Sequence, residues 1–333
     1  MLLPLELSSE TMLKTLRLLA TVSRPEFLPA NSASLILGIA WSINPPLDLV
    51  YGLAIPAILV FTIITLVSAV AAQVNSMSDY EFDQKDNTKK KLVQAMNALN
   101  KSIIKSAIAI EIILSLALIL VLSLIQAKPA LTILWLAAVF LAYSYSAPPL
   151  RLKSRSWLAP VTLLIVLSIL PISFVFYSFS SEITYIFLLF LSGQALIVYG
   201  VIVPAEIRDY PVDKEMGVET MTVRLGLVKA SMLSIALLSV GGILCGTGFL
   251  LRLAYSTHPA STVFLLVMAV AHGYIFNKYL RLYRLSKDYT SNPKKGSIDK
   301  IVELAAQNPR WITIVTQTIV FMSLVLVAVT FLP

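Results

Sequence analysis

The sequence predicts an all-α, polytopic membrane protein with nine transmembrane helices. Hydrophobic residues make up 57% of the 333 residues, charged residues make up only 13%, and the mean hydropathy is +0.82. A bilayer-spanning helix needs about 20 predominantly apolar residues in succession, and a soluble core does not need so much apolar sequence. The single cysteine excludes an internal disulfide and a cysteine-rich metal site.

Nine apolar stretches supply the candidate spans, in order along the chain. They lie near residues 28–44, 50–74, 103–126, 129–147, 157–178, 183–205, 227–251, 260–280 and 311–332. Residues 1–26 mix acidic and basic side chains and lack a long apolar core followed by a small-residue cleavage site. They are therefore interpreted as an amphipathic cytoplasmic segment and not as a signal peptide.

The lysines and arginines are distributed unevenly between the two sides that these spans define. All but Lys128 and Arg252 fall on one side, which accounts for 24 of the 26 cationic residues. The positive-inside rule places that side, together with the N-terminus and the long loops, in the cytoplasm. Because the cations follow the membrane edges and do not form one basic patch, nucleic acid is not implied as a partner.

Two acidic clusters occur where apolar stretches end, and both fall on the predicted cytoplasmic side. The first cluster is Asn75, Asp79 and Asp83, spaced i, i+4 and i+8. The second cluster is Glu206, Asp209 and Asp213, spaced i, i+3 and i+7. Each spacing places the three side chains on one helix face. For the second cluster this holds only if the sixth helix continues that far, because Pro211 is expected to bend or end it.

Oxygen ligands without histidine favour Mg²⁺, which is usually held by one or two carboxylates together with substrate phosphates. We therefore predict that the six side chains of the two clusters bind Mg²⁺ and, through it, a diphosphate. Nearby cations are candidates for the remaining phosphate oxygens. They are Arg151, Lys153, Arg208, Lys214 and Arg224. The alternative is that all these charges are solvated loop residues that pair with one another.

With these motifs in view, the chain resembles the UbiA superfamily of intramembrane prenyltransferases. Asn75, Asp79 and Asp83 match its first NxxxDxxxD motif, and Asp209 and Asp213 match its second DxxxD motif. The segments YSAPPLRLK (145–153) and IRDYPVDKEMGVETMTVRLG (207–226) are similar to the chlorophyll synthase and menaquinone-type branches. Ser76 and Ala205-Glu206 depart from the usual residues beside the two motifs.

The resemblance implies a fold and an activity. The fold is a single domain over residues 1–333, with nine helices around a central cavity and two similar four-helix halves plus a ninth helix. The activity is transfer of a polyprenyl group from its diphosphate to an aromatic or other hydrophobic ring acceptor. Mg²⁺ would assist departure of the diphosphate, with Arg151, Lys153 and Arg208 as further donors. No oligomeric state is implied.

Other polar residues are weaker candidates. Tyr143 and Tyr145 are expected either to flank an allylic cation or to belong to an aromatic belt at the membrane surface. Asn31 is expected to face the cavity or to bond a neighbouring helix. Glu111 lies inside the third span, where pairing with a neighbouring hydroxyl is the favoured interpretation. Residues Lys89–Lys91 are interpreted as a solvated face near lipid headgroups.

Two other functions remain open from the sequence alone. A membrane terpene cyclase of the same superfamily would use the same ionisation, followed by attack from the double bond of the chain itself. An ion-coupled transporter is a different class, although such proteins usually place their acidic residues near the middle of the membrane and not at span ends.

Overall fold

The structure of the protein is a computed structural model that describes residues 9–43, 53–84, 89–155, 157–253, 260–293 and 297–331. The described residues are almost entirely helical and contain no strand. The helices are α1 (Ser9–Val22), α2 (Leu28–Ser42), α3 (Ala54–Asp83), α4 (Lys90–Ala98), α5 (Lys101–Ile125), α6 (Ala130–Ser146), α7 (Leu158–Leu164), α8 (Leu170–Phe179), α9 (Tyr185–Glu215), α10 (Met221–Leu225), α11 (Leu227–Leu253), α12 (Ala260–Ser291), α13 (Ile298–Ala305) and α14 (Asn308–Phe331).

The chain is a multi-pass membrane protein, as the sequence predicts. Each of the nine predicted spans overlaps one of these helices. Within the described ranges, six helical segments are long and apolar enough to cross a membrane: α3, α5, α7–α8, α9, α11 and α13–α14. The shorter helix α6 is also apolar. The number nine, the central cavity and the two similar halves stay predictions.

The long helices expose apolar side chains that only a lipid environment accommodates. On α5, the exposed fraction is 63% for Ile110, 66% for Ile113 and 81% for Leu124. Such a continuous apolar face would be an aggregation surface in water. Hydrocarbon offers no hydrogen-bond partners, and a helix does not need them because its backbone N–H and C=O groups bond to each other.

Close packing divides the chain into two compact units, which are described separately. Unit one comprises residues 1–31 and 56–151, and unit two comprises residues 32–55 and 152–333, each as far as it is described. The single domain predicted for residues 1–333 stays a prediction.

In unit one, the amphipathic helices α1 and α4 pack against each other beside the long helices. Val22, Ala95 and Met96 form a small buried cluster with Leu99 and Ile104. Nearer its start, α1 exposes Met12, Leu13 and Leu16. The amphipathic cytoplasmic segment predicted for residues 1–26 stays a prediction, and residues 1–8 lie outside the described residues.

In unit two, α9 and α11 approach so closely that their backbones touch. A Cβ atom on Gly193 would lie 2.7 Å from the carbonyl oxygen of Gly241, and one on Gly241 would lie 2.8 Å from the carbonyl oxygen of Gly193. Small residues commonly allow such contact between transmembrane helices. Gly193 and Gly241 therefore set the distance between the two helices that form the core of this unit.

The end of α2 is held within unit two by an arginine. The Arg252 guanidinium donates to the carbonyl oxygens of Trp41 at 2.8 Å and of Ile43 at 2.6 Å. It also lies 5.3 Å from the centre of the Trp41 ring, which stacks on Phe190 at 4.0 Å between ring centres. Arg252 thus satisfies carbonyl groups that the end of the helix leaves without intrahelical partners.

We expect Gly193→Ala to lower the stability of the protein, because the added methyl group overpacks a backbone contact at a cost of about 1–3 kcal/mol. Thermal unfolding in detergent, followed by tryptophan fluorescence, measures the effect. Gly273→Ala is the matched control, because a Cβ there meets no atom within 4 Å. That change should leave the melting temperature unchanged or raise it. Equal destabilisation by both substitutions would contradict the packing argument.

Candidate active site

The first cluster lies on the last three turns of α3. Asn75 and Asp79 are half-buried, whereas the Asp83 side chain, at the last residue of the helix, is only 5% exposed. The helix is continuous from Ala54 to Asp83, so the spacing i, i+4 and i+8 puts the three side chains along one face as predicted.

Each member of the first cluster has a polar partner within unit one. The Ser146 hydroxyl donates to Asn75 Oδ1 at 2.7 Å. The Arg151 guanidinium lies 3.5 Å from Asp79 Oδ1, and Lys89 Nζ lies 2.6 Å from Asp83 Oδ1. The two carboxylates are therefore neutralised by two cations that come from different loops.

Arg151 is held in an unusual backbone conformation. Its φ angle is +39°, a region that L-residues with a side chain rarely occupy. Its N–H donates to the carbonyl oxygen of Ala147 at 2.9 Å, and its guanidinium carbon lies 5.7 Å from the centre of the Phe82 ring. Such strain persists only where the surroundings impose it, and it is concentrated at ligand sites.

The second cluster lies on α9 in unit two. Although Pro204 and Pro211 are inside it, α9 continues to Glu215, so Pro211 does not end the helix. Glu206, Asp209 and Asp213 therefore lie on one helix, as their shared face requires. Proline removes one backbone hydrogen bond. Pro211 is only four residues from the end of α9, where a lost bond is tolerated.

Two members of the second cluster have partners that the structure defines. Arg208 donates to both carboxylate oxygens of Asp209, with Nε–Oδ1 2.7 Å and Nη2–Oδ2 2.9 Å. Glu206 Oε2 accepts from the hydroxyl of buried Thr222, on α10, at 2.9 Å. This bond connects α9 to the short helix that follows it.

Two of the predicted cations lie against aromatic rings. Lys214 Nζ lies 5.6 Å from the centre of the Tyr210 ring, and the Arg224 guanidinium lies 5.7 Å from the Trp157 ring. Lys153 lies in a 3₁₀ turn and is half-buried. Within the second cluster, Arg208 pairs with Asp209, its own neighbour in sequence.

The donor set suits a hard divalent cation, because it consists of carboxylate and amide oxygens. Across the described ranges, however, no three acidic, histidine or cysteine side chains converge closely enough to form a complete metal site. The first cluster belongs to unit one and the second to unit two. A single site built from both clusters stays a prediction.

Comparison with known proteins assigns the family. The model of the UbiA prenyltransferase family matches residues 32–294, which is most of the chain and includes both clusters. The chain belongs to the UbiA prenyltransferase family. The resemblance inferred from its motifs is thereby confirmed.

Solved structures share the fold of this UbiA family member at low sequence identity. One, from work on digeranylgeranylglyceryl phosphate synthase in membranes, is 14% identical, with a TM-score of 0.64 over 93% of this chain and 99% of the other. A UbiA homologue from Archaeoglobus fulgidus, bound to GPP and Mg²⁺, is 15% identical, with a TM-score of 0.64 over 94% and 100%. An apo homologue from Aeropyrum pernix K1 is 14% identical, with a TM-score of 0.60 over 89% and 97%. No curated protein sequence matches the chain.

Three further residues predicted for the UbiA site lie in unit one. Tyr143 is 51% exposed, which is typical of an interfacial tyrosine, whereas Tyr145 is half-buried. Asn31 is buried, and its Oδ1 accepts from the Ser68 hydroxyl at 3.0 Å. Asn31 therefore bonds a neighbouring helix, α3, which is one of the two roles expected for it.

The structure adds partners that the sequence did not identify. Lys89 was expected on a solvated face, but it pairs with buried Asp83. Glu111 was expected to pair with a hydroxyl, but its Oε1 accepts from the amide of Gln73 at 2.8 Å. Ser146 also went unrecognised as a partner of Asn75, although it lies within the YSAPPLRLK motif.

We expect Lys89→Met to destabilise the protein more than the double substitution Lys89→Met/Asp83→Asn. The single change leaves a carboxylate buried and unpaired, whereas the double change removes that charge as well. Because Lys89 is 39% exposed, solvent screening should limit the coupling to about 1 kcal/mol. A double-mutant cycle on unfolding in detergent measures it, and additive effects would show that the pair is not coupled.

Proposed function

We propose that the protein transfers a polyprenyl group from a polyprenyl diphosphate to an aromatic or other ring acceptor, with Mg²⁺ bound by the two acidic clusters. The reaction would take place at the cytoplasmic face of a nine-helix fold, where 24 of the 26 cationic residues are predicted to lie. Membership of the UbiA prenyltransferase family supports this activity.

The observation that carries the proposal is the charge pattern of the first cluster. Three oxygen-bearing side chains share one face of α3, and its two carboxylates already lie against cations. A site for Mg²⁺ and diphosphate needs this combination, since carboxylates hold the metal and cations hold the phosphate oxygens.

Each residue has a role in this scheme. Asn75, Asp79, Asp83, Asp209 and Asp213 would hold the metal, with Glu206 beside them. Bound Mg²⁺ would neutralise the diphosphate and make it a better leaving group. The fit rests on the donor chemistry, because oxygen ligands alone suit this ion.

The cations of the chain would then change partners. With Asp79 engaged in metal binding, the Arg151 guanidinium would donate to phosphate oxygens, to which its planar fork of N–H groups is suited. Arg208 would do the same beside Asp209, and Lys153 would add a further donor. Lys214 and Arg224, which contact aromatic rings, would serve at the edge of the site.

Solved homologues supply examples of a prenyl diphosphate bound together with Mg²⁺. The Archaeoglobus fulgidus protein was solved with GPP and Mg²⁺ and also with DMAPP and Mg²⁺.

Tyr145 would flank the allylic carbon or orient the acceptor, since an aromatic face attracts a cation. Exposed Tyr143 and helix-bonded Asn31 would contribute only to the surroundings of the substrate.

We expect Asp79→Asn and Asp209→Asn each to reduce prenyl transfer by about 100-fold or more, because each removes a carboxylate that would hold the Mg²⁺ that stabilises the departing diphosphate. The assay uses purified protein, Mg²⁺ and a radiolabelled polyprenyl diphosphate, and chelation by EDTA should abolish activity in the same way. Glu81→Gln is the control, because exposed Glu81 lies at the same helix end but off the cluster face. Activity that survives in either cluster variant would remove that residue from the site.

We expect consumption of the labelled diphosphate to depend on an added ring acceptor. Aromatic acceptors are supplied or withheld, and prenylated products and released diphosphate are quantified by mass spectrometry. A terpene cyclase would consume the donor alone and release a cyclic hydrocarbon. Consumption of the donor without an acceptor would show that the reaction is cyclisation and not transfer. The cluster variants would still identify the site at which the diphosphate leaves.

A further inference from the structure

Helix α12 continues well beyond the apolar stretch with which it begins. The predicted eighth span ends at residue 280, whereas α12 continues to Ser291. The 32 residues of the helix extend over about 48 Å, compared with roughly 30 Å for the hydrocarbon core of a bilayer. The last part of α12 therefore projects beyond the hydrocarbon.

One side of α12 packs inward, and another side is exposed. The inward side carries the buried residues Ile275, Tyr279, Leu282 and Ser286. The outward face changes in character along the helix, from apolar to aromatic to cationic. Its residues are, in order, Leu266, Val270, Tyr274, Lys278, Arg281 and Arg284. At 100° per residue these six side chains fall within about one third of the helix circumference. Such an order is typical of a face that passes from hydrocarbon to lipid headgroups.

Tyr274 marks the level of the membrane surface on the outward face. Its side chain is 52% exposed, and tyrosines are enriched where hydrocarbon meets the headgroups. The three cations lie about 6, 10.5 and 15 Å further along the helix axis. Helical side chains lean towards the N-terminus of their helix, which for α12 is the direction of the membrane. Lys278 shows this lean, because its Nζ lies 5.2 Å from the centre of the Tyr274 ring.

Arg281 and Arg284 have the properties of phosphate ligands. Both are exposed, and residues three apart are neighbours on a helix surface. Neither has an ion-pair partner among the residues that the structure describes. The planar N–H fork of a guanidinium matches the geometry of a phosphate. The one acidic residue of α12, Asp288, lies a turn beyond Arg284 and thus farther from the membrane.

We propose that the outward face of α12 binds an anionic phospholipid of the surrounding bilayer. The phosphodiester contacts Arg281 and Arg284, and Lys278 adds a third positive charge. An acyl chain lies along Val270 and Leu266. A free phosphate ion would use only the cationic part of the face, whereas a lipid uses both parts. The lipid is anionic, because a zwitterionic headgroup would bring a further positive charge to three cations. The proposal does not depend on prenyl transfer.

The test compares two photoreactive lipids that differ only in the headgroup. Phosphatidylglycerol and phosphatidylcholine with the same diazirine-bearing acyl chain are each added to the full-length protein in phosphatidylcholine nanodiscs. Crosslinked peptides are mapped by mass spectrometry. Phosphatidylglycerol should label α12 more strongly by about fivefold or more, which corresponds to about 1 kcal/mol, the typical attraction of one basic residue to an anionic surface. Equal labelling of the wild-type protein would overturn the proposal and leave the cations as topology signals only.

Two double variants show whether the preference comes from this face. Arg281→Gln/Arg284→Gln should remove the preference at α12 and leave labelling by phosphatidylcholine unchanged. Lys101→Gln/Lys105→Gln is the matched control, because it removes the same charge from two exposed residues one turn apart at the start of α5. The preference at α12 should persist in this control. Equal loss in both variants would show that overall charge and not the arginine pair retains the lipid, which would overturn the proposal.

Ionic strength and free phosphate test the electrostatic part and the lipid part separately. Raising the ionic strength from about 0.1 M to about 1 M shortens the Debye length from about 10 Å to about 3 Å and should reduce the preference. An unchanged preference would overturn the assignment to charge. Inorganic phosphate at matched ionic strength should not displace the lipid probe, and displacement would show that the site binds free phosphate instead. These measurements use the wild-type protein, so they decide the matter even if a variant fails to fold.

Discussion

In unit one, the packing around the end of α3 depends on the neutralisation of two carboxylates, Asp79 and Asp83. Asp83 is almost fully buried, and an unpaired charge in such a position would destabilise the fold. Lys89, just before α4, and Arg151, after α6, supply the opposite charges at Asp83 and Asp79. The loops that follow α3 and α6 are therefore both tied to one face of α3. The arrangement that makes these side chains a candidate for metal and diphosphate binding also holds the local fold together.

Much of the helical framework could be predicted from sequence, because hydrocarbon forces every backbone polar group to bond within its own helix. Long apolar stretches then become helices, and the spacing of Asn75, Asp79 and Asp83 fixes their common face. The partners of polar side chains could not be predicted in the same way. Gln73 and Glu111 are 38 residues apart, and their contact depends on how α3 and α5 pack. Likewise, a local rule suggested that Pro211 bends or ends α9, and the packed structure shows that the helix continues to Glu215.

Helix α11 shows how neighbouring glycines serve different purposes. Gly241 allows the backbone of α9 to touch α11, while Gly242, rotated by about 100° around the helix, lines an open groove between α11 and α12. A glycine pair in a membrane helix would ordinarily be interpreted as a single packing motif. Here one residue brings α9 against α11, and the next keeps space open between α11 and α12.

The contact of Arg252 with the end of α2 bears on how this short helix is accommodated in the membrane. The 15 residues of α2 extend over about 22 Å, which is less than the roughly 30 Å of a bilayer core. Trp41 and Ser42 at the end of α2 are buried, so the final carbonyls of this helix are shielded from water. Arg252 takes the place of that water, and its own charge is balanced by two carbonyl dipoles and an aromatic face. Arg252 therefore gives the backbone at the end of α2 the hydrogen bonds that water would otherwise give it. This role explains why a strongly basic side chain is present on the side of the protein where Lys128 is the only other predicted cation.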